Sequence, residues 1–218
     1  MNLAIFDLDN TLLGGDSDHA WGNFLIEQGL VEQAQYRKAN DQFYQDYLAG
    51  KLDIIAYQTF CLSVIKHRPL EQILAWREDF IASKIIPLLL PKAMQLIEKH
   101  KIAREQLIII TATNRFITEP IARLMGIDTL IATEPEFDGL QYTGKIVGTP
   151  CYQEGKITRL KEWANQNNAS LEGSFFYSDS HNDIPLLETV DNPVAVDPDS
   201  TLKMHAESKN WPIISLRN

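Results

Sequence analysis

The chain has little cysteine, few basic residues and no long apolar run. Its two cysteines, Cys61 and Cys151, lack the close spacing of a metal-binding pair. We therefore expect free thiols in a reducing cytoplasm, and neither a disulfide scaffold nor a zinc centre. With 20 Lys and Arg against 29 Asp and Glu, the net charge is −9. This balance argues against nucleic acid or an anionic membrane as a partner.

Membrane and export signals are also missing. No segment approaches the roughly 18 consecutive apolar residues of a membrane span. No basic stretch precedes an apolar one at the start of the chain, so we expect no signal peptide and a cytoplasmic location. The composition, 44% hydrophobic and 22% charged over 218 residues, fits one globular domain with a sizeable insertion.

The first ten residues combine an apolar run with two acids. Residues 3–6 have the pattern of a strand buried on both faces. Asp7 and Asp9 follow, and strand alternation directs both toward one side. Ligands of open α/β sheets bind at the carboxyl ends of strands. Because two buried acids require a cation or a proton, the pair predicts a binding site, with a solvated turn as the ordinary alternative.

Residues 14–89 are predicted to form an all-helical insertion. Four amphipathic stretches follow one another without a strand pattern, the fourth reaching about Ile86. Their starts are marked by residues that open or cap helices: Asp16 or Ser17, Asp53 and Pro69. We expect the aromatic residues on their apolar faces to form the bundle core: Trp21, Phe24, Tyr44 and Tyr47. The predicted core domain comprises residues 1–13 and 90–218.

From Pro91 onward, buried strands alternate with helices. The strand signals lie near residues 107–110, 130–131, 174–178, 194–196 and 213–214, with a hairpin turn around Asp138-Gly139. Pro120 is best accommodated if its helix begins only near residues 116–118. This alternation predicts the α/β class: a Rossmann-like parallel sheet with helices on both faces, plus the inserted four-helix cap.

Polar side chains follow three of these strands, and a lysine opens an intervening helix: Asp7 and Asp9, then Thr111, then Lys156, then Asp179, Asn182 and Asp183. Each has an ordinary structural explanation when taken alone. Together they are the groups that phosphoryl transfer requires. One carboxylate can attack phosphorus and a second can move protons. Mg²⁺, a hydroxyl, a lysine and helix amides can hold the phosphate oxygens.

This ordered set resembles the haloacid dehalogenase superfamily of phosphatases. Residues 7–11 are similar to its first motif, Thr111 to its second, Lys156 to its third and residues 178–183 to its fourth. The resemblance implies Asp7 as nucleophile, Asp9 as general acid/base and Lys156 as a third catalytic group. It implies phosphate contacts from Thr11, Thr111, Ala112 and Asn182. It also implies a Mg²⁺ ion associated with Asp7, Asp9, Asp179 and Asp183, the Asp9 contribution being its carbonyl and Asp183 orienting metal-bound water.

The helical insertion is similar to the cap of the phosphoserine-phosphatase-like branch. In that branch a cap glutamate and a cap arginine hold the amine and the carboxylate of the substrate. Here Asp16 stands at the glutamate position, whereas residues 59–61 stand where the arginine is expected. The fourth motif also lacks the glycines common in that branch. The resemblance therefore implies a cation grip by Asp16, which is alternatively a helix cap, and no carboxylate grip.

The run 14–22 is similar to that of proteobacterial histidinol-phosphate phosphatases in the same branch. Histidinol phosphate carries an amine and an imidazole but no carboxylate, so a cap offering Asp16, Asp18 and Trp21 suits it. The expected substrate is this small molecule, with phosphoserine or another small phosphomonoester as the alternative.

A phospho-acceptor signalling domain without turnover is the alternative from another class. It would share the α/β sheet, the acidic Mg²⁺ pocket, a threonine and a lysine. Asp9 argues against it, because a receiver needs no acid two residues after the acceptor. A large helical cap also favours a small-molecule substrate.

Overall fold

The computed structural model describes residues 2–217, which form a seven-stranded sheet ordered β4-β3-β2-β1-β5-β6-β7. Only the β3–β4 pair is antiparallel among these strands. The strands are β1 Leu3–Phe6, β2 Gln106–Asn114, β3 Thr129–Phe137, β4 Tyr142–Val147, β5 Phe175–Ser178, β6 Asn192–Val196 and β7 Ile213–Ile214. The predicted parallel sheet and the predicted hairpin are both confirmed.

Strand β1 lies in the middle of the sheet and is buried on both faces. Leu3 and Ile5 pack in one hydrophobic cluster, whereas Ala4 and Phe6 pack in the other. This division follows from the alternation of side chains along a strand. Helices cover both faces, as predicted for a Rossmann-like arrangement.

Nine α-helices accompany the strands in the described part of the chain. Four lie between β1 and β2: α1 Ser17–Glu27, α2 Gln33–Leu48, α3 Ile54–Ser63 and α4 Leu70–Phe80. Five follow: α5 Pro91–Ile102, α6 Arg115–Leu124, α7 Glu154–Gln166, α8 Ile184–Leu187 and α9 Ser200–Lys209. Over residues 2–217, none of the helices combines the length and the apolar character needed to cross a membrane.

Helix α4 is shorter than predicted. Its α-helical part ends at Phe80, and a π-helical turn, Ile81–Ile85, and a 3₁₀ turn, Ile86–Leu88, continue it. Pro87 explains the change, because it has no N–H for a carbonyl one turn earlier and its ring excludes a regular α-helix there. The chain therefore stays helical as far as the predicted end at Ile86, but beyond Phe80 its hydrogen bonds are no longer those of an α-helix.

Helix α6 begins at Arg115, before the predicted start, and contains Pro120 in its interior. Pro120 cannot donate to the carbonyl of Phe116, four residues earlier. Instead, the guanidinium of Arg77 in α4 donates to that carbonyl at 2.9 Å. The same guanidinium lies 4.9 Å from the centre of the Phe116 ring. A side chain from the helical insertion thus satisfies the carbonyl that the proline leaves free.

The helical insertion shares its hydrophobic core with one face of the sheet. Trp21 is 1% exposed. Its ring stacks on Phe24 at 5.5 Å and contacts Phe80 and Phe116 edge-on at 5.1 and 6.1 Å. The predicted core roles of Trp21 and Phe24 are confirmed, so Trp21 does not face a ligand. At the base of the insertion, Leu13 and Leu89 form an antiparallel bridge. The division at residues 14–89 stays a prediction.

Candidate active site

A cavity lies where the C-terminal ends of β1 and β2 meet helices α1, α2 and α3. Its walls combine carboxylates of the sheet edge with aromatic side chains of the helices. The cavity is narrow, with a volume of about 30 Å³, room for about two water molecules.

Asp7 leaves the end of β1 and forms an ion pair with Lys156. The Lys156 ammonium donates to Asp7 Oδ1 at 2.6 Å and to Asp183 Oδ2 at 2.7 Å. Burial and the charges of neighbouring carboxylates raise the pKa of Asp7, while Lys156 opposes the shift. Burial alone would lower the pKa of Lys156, but Asp183 and Asp7 raise it above its ordinary value. Lys156 is therefore a fixed cation between two carboxylates.

Two glycines in this region stand where a side chain would not fit. A Cβ on Gly155, just before Lys156, would lie 2.1 Å from the carbonyl oxygen of Pro150. Gly50, after α2, has φ +66°, and a Cβ there would lie 2.8 Å from His181 Nε2. The first glycine lets the turn before Lys156 close tightly, and the second lets the helical insertion approach the core.

Asp9 is held on both of its oxygens. The backbone N–H of Ser17 donates to Oδ1 at 2.6 Å, and the Thr113 hydroxyl donates to Oδ2 at 2.8 Å. Burial raises the pKa of Asp9, and the bonds from Ser17 and Thr113 oppose the shift. A carboxyl with a raised pKa is suited to donate a proton near neutral pH. Thr113 was not predicted as a site residue, although it lies two strand positions after Thr111 and therefore on the same face of the strand.

The predicted phosphate contacts Thr111, Ala112 and Asn182 all line the cavity. The Asn182 amide oxygen accepts from the Tyr152 hydroxyl and from Gln153, each at 3.0 Å. Its amide nitrogen donates to the carbonyl of Tyr47 at 3.1 Å.

Ala112 makes a second link between the core and the helical insertion. The Gln58 amide of α3 donates to the Ala112 carbonyl at 3.3 Å. Residues of the insertion thus contact Ala112 and Asn182 directly, two of the four predicted phosphate-binding residues.

Thr11 and Asp179 bind each other beside the cavity. The Thr11 hydroxyl donates to Asp179 Oδ1 at 2.9 Å and accepts from the Asp179 backbone N–H at 3.0 Å. Burial raises the pKa of Asp179 to about 7, and the hydrogen bond from Thr11 partly opposes this shift. The side chain of Thr11 therefore orients Asp179, and its predicted contact with phosphate stays a prediction.

Asp16 caps helix α1 and also lines the cavity. Its Oδ1 accepts from the backbone N–H of His19 at 2.8 Å. Burial and the charge of Asp9 raise the pKa of Asp16 to about 7.

Tyr44 and Tyr47 were predicted as bundle core, and this is wrong: both line the cavity. Helical periodicity identifies an apolar face but not the surface against which it packs.

An acidic edge at the centre of a parallel sheet, with a lysine paired to its first carboxylate, is the arrangement that phosphoryl transfer to an aspartate requires. Residues 4–188 match the family model of haloacid dehalogenase-like hydrolases. The chain belongs to this family and is a phosphomonoester phosphatase. The resemblance predicted from the four motifs is thereby confirmed.

The chain is similar over its full length to several known proteins. The chain is 43% identical to the histidinol-phosphatase of Neisseria meningitidis, with 99% of each chain covered. It is 39% identical to a protein of unknown function from Bordetella pertussis, whose crystal structure aligns with a TM-score of 0.93 over 99% of this chain and 98% of that one. A phosphoserine phosphatase structure with an analogue of the phospho-aspartyl intermediate shares the fold, with a TM-score of 0.71 at 18% identity over 100% and 94%.

Proposed function

We propose that this chain hydrolyses histidinol phosphate through an aspartyl-phosphate intermediate, as a cytoplasmic step of histidine biosynthesis. The observation that carries the proposal is the charge of the cavity wall. Among residues 2–217, five carboxylates line the cavity, and Lys156 is the one cationic side chain that does. The wall therefore favours a leaving group that carries positive charge.

Phosphoserine is the alternative substrate, and the same wall disfavours it. A substrate carboxylate needs a cationic partner, and an arginine is the usual choice. In the described part of the chain, no arginine lines the cavity. Lys156 is already bonded to Asp7 and Asp183. Histidinol phosphate has no carboxylate, and the full-length relative named histidinol-phosphatase supports the choice.

In the proposed mechanism, a carboxylate oxygen of Asp7 attacks phosphorus as the bond from phosphorus to the leaving oxygen breaks. Asp9 gives its proton to that leaving oxygen. In the second step, Asp9 takes a proton from a water molecule that attacks the phosphorus of the aspartyl-phosphate. Phosphate leaves and Asp7 is restored. Lys156, Thr111 and Asn182 are proposed to bind the phosphate oxygens.

The residues at the sheet edge fit Mg²⁺ as the cofactor. Burial and mutual repulsion raise the pKa values of Asp7 and Asp179, and a cation would relieve this repulsion. Within residues 2–217, no three His, Cys, Asp or Glu side chains are grouped to surround a metal by themselves. Mg²⁺ commonly takes one or two carboxylates and completes its coordination shell with water.

We propose that Asp7, the Asp9 carbonyl and Asp179 would hold the ion, with Asp183 orienting a water. When bound, Mg²⁺ would reduce the repulsion between the phosphate and the carboxylates.

We expect chelation of divalent metals to abolish turnover, and Mg²⁺ but not Ca²⁺ to restore it. Ca²⁺ accepts more ligands at longer distances, whereas Mg²⁺ requires a compact octahedral shell. Mg²⁺ at about 100 times its Kd should also stabilise the folded protein by about 2.7 kcal/mol. Thermal unfolding measures this shift, which should disappear in Asp179→Asn and persist in Asp128→Asn, a change at an exposed position. Full activity in Ca²⁺ freed of trace Mg²⁺ would contradict the assignment.

A panel of phosphomonoesters tests the substrate. We expect kcat/KM for histidinol phosphate to exceed that for phosphoserine by at least about 10-fold, because one charge-assisted contact is worth about 1.5–3 kcal/mol. Phosphate release measured for both compounds gives the ratio, and p-nitrophenyl phosphate, whose leaving half has no cationic group, serves as the reference. A preference for phosphoserine would reject the proposed function.

A further inference from the structure

Asp18 is a buried carboxylate without a partner. It is 4% exposed, and neither of its oxygens has a hydrogen-bond partner within residues 2–217. Buried carboxylates are costly unless they are paired or hydrogen-bonded. The position therefore requires an explanation beyond the packing of the insertion.

The helix to which Asp18 belongs does not supply that explanation. Asp18 lies in the first turn of α1, where the helix dipole favours an acid. An exposed acid in that turn would gain the same interaction without the cost of burial. The capping hydrogen bond of α1 is made by Asp16, which accepts from His19. Asp18 is therefore not needed to begin the helix.

Asp18 lies in the helical turn that binds the proposed proton donor. The residue before it, Ser17, donates its backbone N–H to Asp9 Oδ1 at 2.6 Å. Both Asp9 and Asp18 line the same cavity. Because Asp9 is proposed to protonate the leaving oxygen, Asp18 lies on the side that receives the leaving half of the substrate.

The protein itself provides no positive charge for Asp18. Its polar neighbours on α3 are Tyr57 and Cys61, and burial raises the pKa of both, so they stay neutral. Both lie close enough to lower the pKa of Asp18, yet neither forms a full hydrogen bond, and burial together with Asp16 and Asp9 raises that pKa well above its ordinary value. The ionised form of Asp18 therefore requires a cation from outside the protein. The one cationic side chain found in the described part of the cavity wall, Lys156, is bonded to Asp7 and Asp183.

Aromatic side chains complete this part of the wall. Phe43 and Tyr57 line the cavity with ring centres 5.2 Å apart, and Tyr44 and Tyr47 line it as well. Aromatic rings attract a cation over their faces, and they stack favourably with a flat one. A carboxylate combined with such rings suits a protonated nitrogen heterocycle better than a small, strongly hydrated ammonium.

We propose that Asp18 determines specificity by binding the protonated imidazole of the leaving half of the substrate. The inference rests on the proposed function and assigns a residue to the ring. The imidazolium N–H donates to the Asp18 carboxylate, and the aromatic side chains of α2 and α3 surround the ring. Asp16 remains available for the amine through the oxygen that does not cap α1.

The test is a double-mutant cycle between Asp18 and the substrate ring. Wild type and Asp18→Asn are assayed at pH 6, below the imidazole pKa of about 6.5. The substrates are histidinol phosphate and phenylalaninol phosphate, which keeps the amine and the phosphate but has a neutral ring. We expect wild type to prefer histidinol phosphate by about 10- to 150-fold in kcat/KM, and the variant to lose that preference.

Two controls separate a specific effect from damage to the fold. Asp79→Asn, an exposed change on α4, should leave both kcat/KM values unaltered. Thermal unfolding of Asp18→Asn should show no loss of stability, because the change removes an unpaired buried carboxylate. If the variant nevertheless fails to fold, the test uses the preference of wild type for histidinol phosphate over phenylalaninol phosphate. Equal kcat/KM values for these two substrates overturn the inference.

The outcomes also separate this inference from the proposed function. Suppose that wild type hydrolyses histidinol phosphate well, and that Asp18→Asn lowers kcat/KM equally for both substrates or for neither. The role of Asp18 is then wrong and the proposed function stands. If wild type does not prefer histidinol phosphate to phosphoserine, the proposed function is wrong and the assignment of Asp18 falls with it.

Discussion

Replacing Asp7 with asparagine is expected to lower kcat by roughly 10⁴–10⁶-fold while the protein stays folded. An amide is a far weaker nucleophile than a carboxylate, and removal of a nucleophile in other covalent enzymes costs this much. The fold should persist because Lys156 keeps its 2.7 Å ion pair with Asp183. The change also removes one of several carboxylates that repel one another.

Rapid chemical quench with radiolabelled substrate measures this effect directly. Wild type should accumulate acid-precipitable label as the phosphoenzyme, and Asp7→Asn should accumulate none. Asp128→Asn, an exposed change outside the cavity, serves as the matched control. A variant that retains a tenth of the wild-type kcat would show that Asp7 is not the nucleophile.

Asp9→Asn is expected to slow turnover by about 10²–10⁴-fold, the usual contribution of a positioned acid/base. Its effect should be local. The asparagine oxygen can still accept from Ser17. In the wild type the Thr113 hydroxyl donates to Asp9, and in the variant that hydroxyl can instead accept from the asparagine nitrogen. The fold and the binding of phosphate should therefore change little.

The leaving group separates a proton donor from a residue that only shapes the site. Aryl phosphates depart without full protonation, so formation of the phosphoenzyme from p-nitrophenyl phosphate should suffer less than that from histidinol phosphate. Single-turnover kinetics of the first step measure both losses. Equal losses for aryl and alkyl substrates would remove Asp9 from the role of general acid.

The convergence of Asp7, Lys156 and Asp183 on this site could be predicted from the sequence. Parallel strands end at one edge of a sheet, so residues that follow different strands meet there, and Lys156 bonds to Asp7 and Asp183 as this rule implies. The four-motif order also predicted the family correctly. The strand positions followed from apolar runs, because buried parallel strands leave a strong signal.

Side-chain pairing across the fold was not predictable in the same way. Thr11 binds Asp179 across 168 positions, and Arg77 reaches the Phe116 carbonyl across 39. Such contacts depend on rotamers and on how helices pack, neither of which leaves a periodic signal. Tyr44 and Tyr47 were misassigned for the same reason, whereas Thr113 could have been found from its strand register with Thr111.

The central position of β1 has a consequence for how the protein is made. Leu3 pairs with Gln106, and Ala4 pairs with Phe175, so the first strand to leave the ribosome gains its second neighbour only after most of the chain has been translated. At 5–20 residues per second, that delay is roughly 10–35 s. Nascent chains are therefore expected to carry Asp7 on an apolar strand that is paired along one edge at most, until β5 and Asp183 have emerged and the site can assemble.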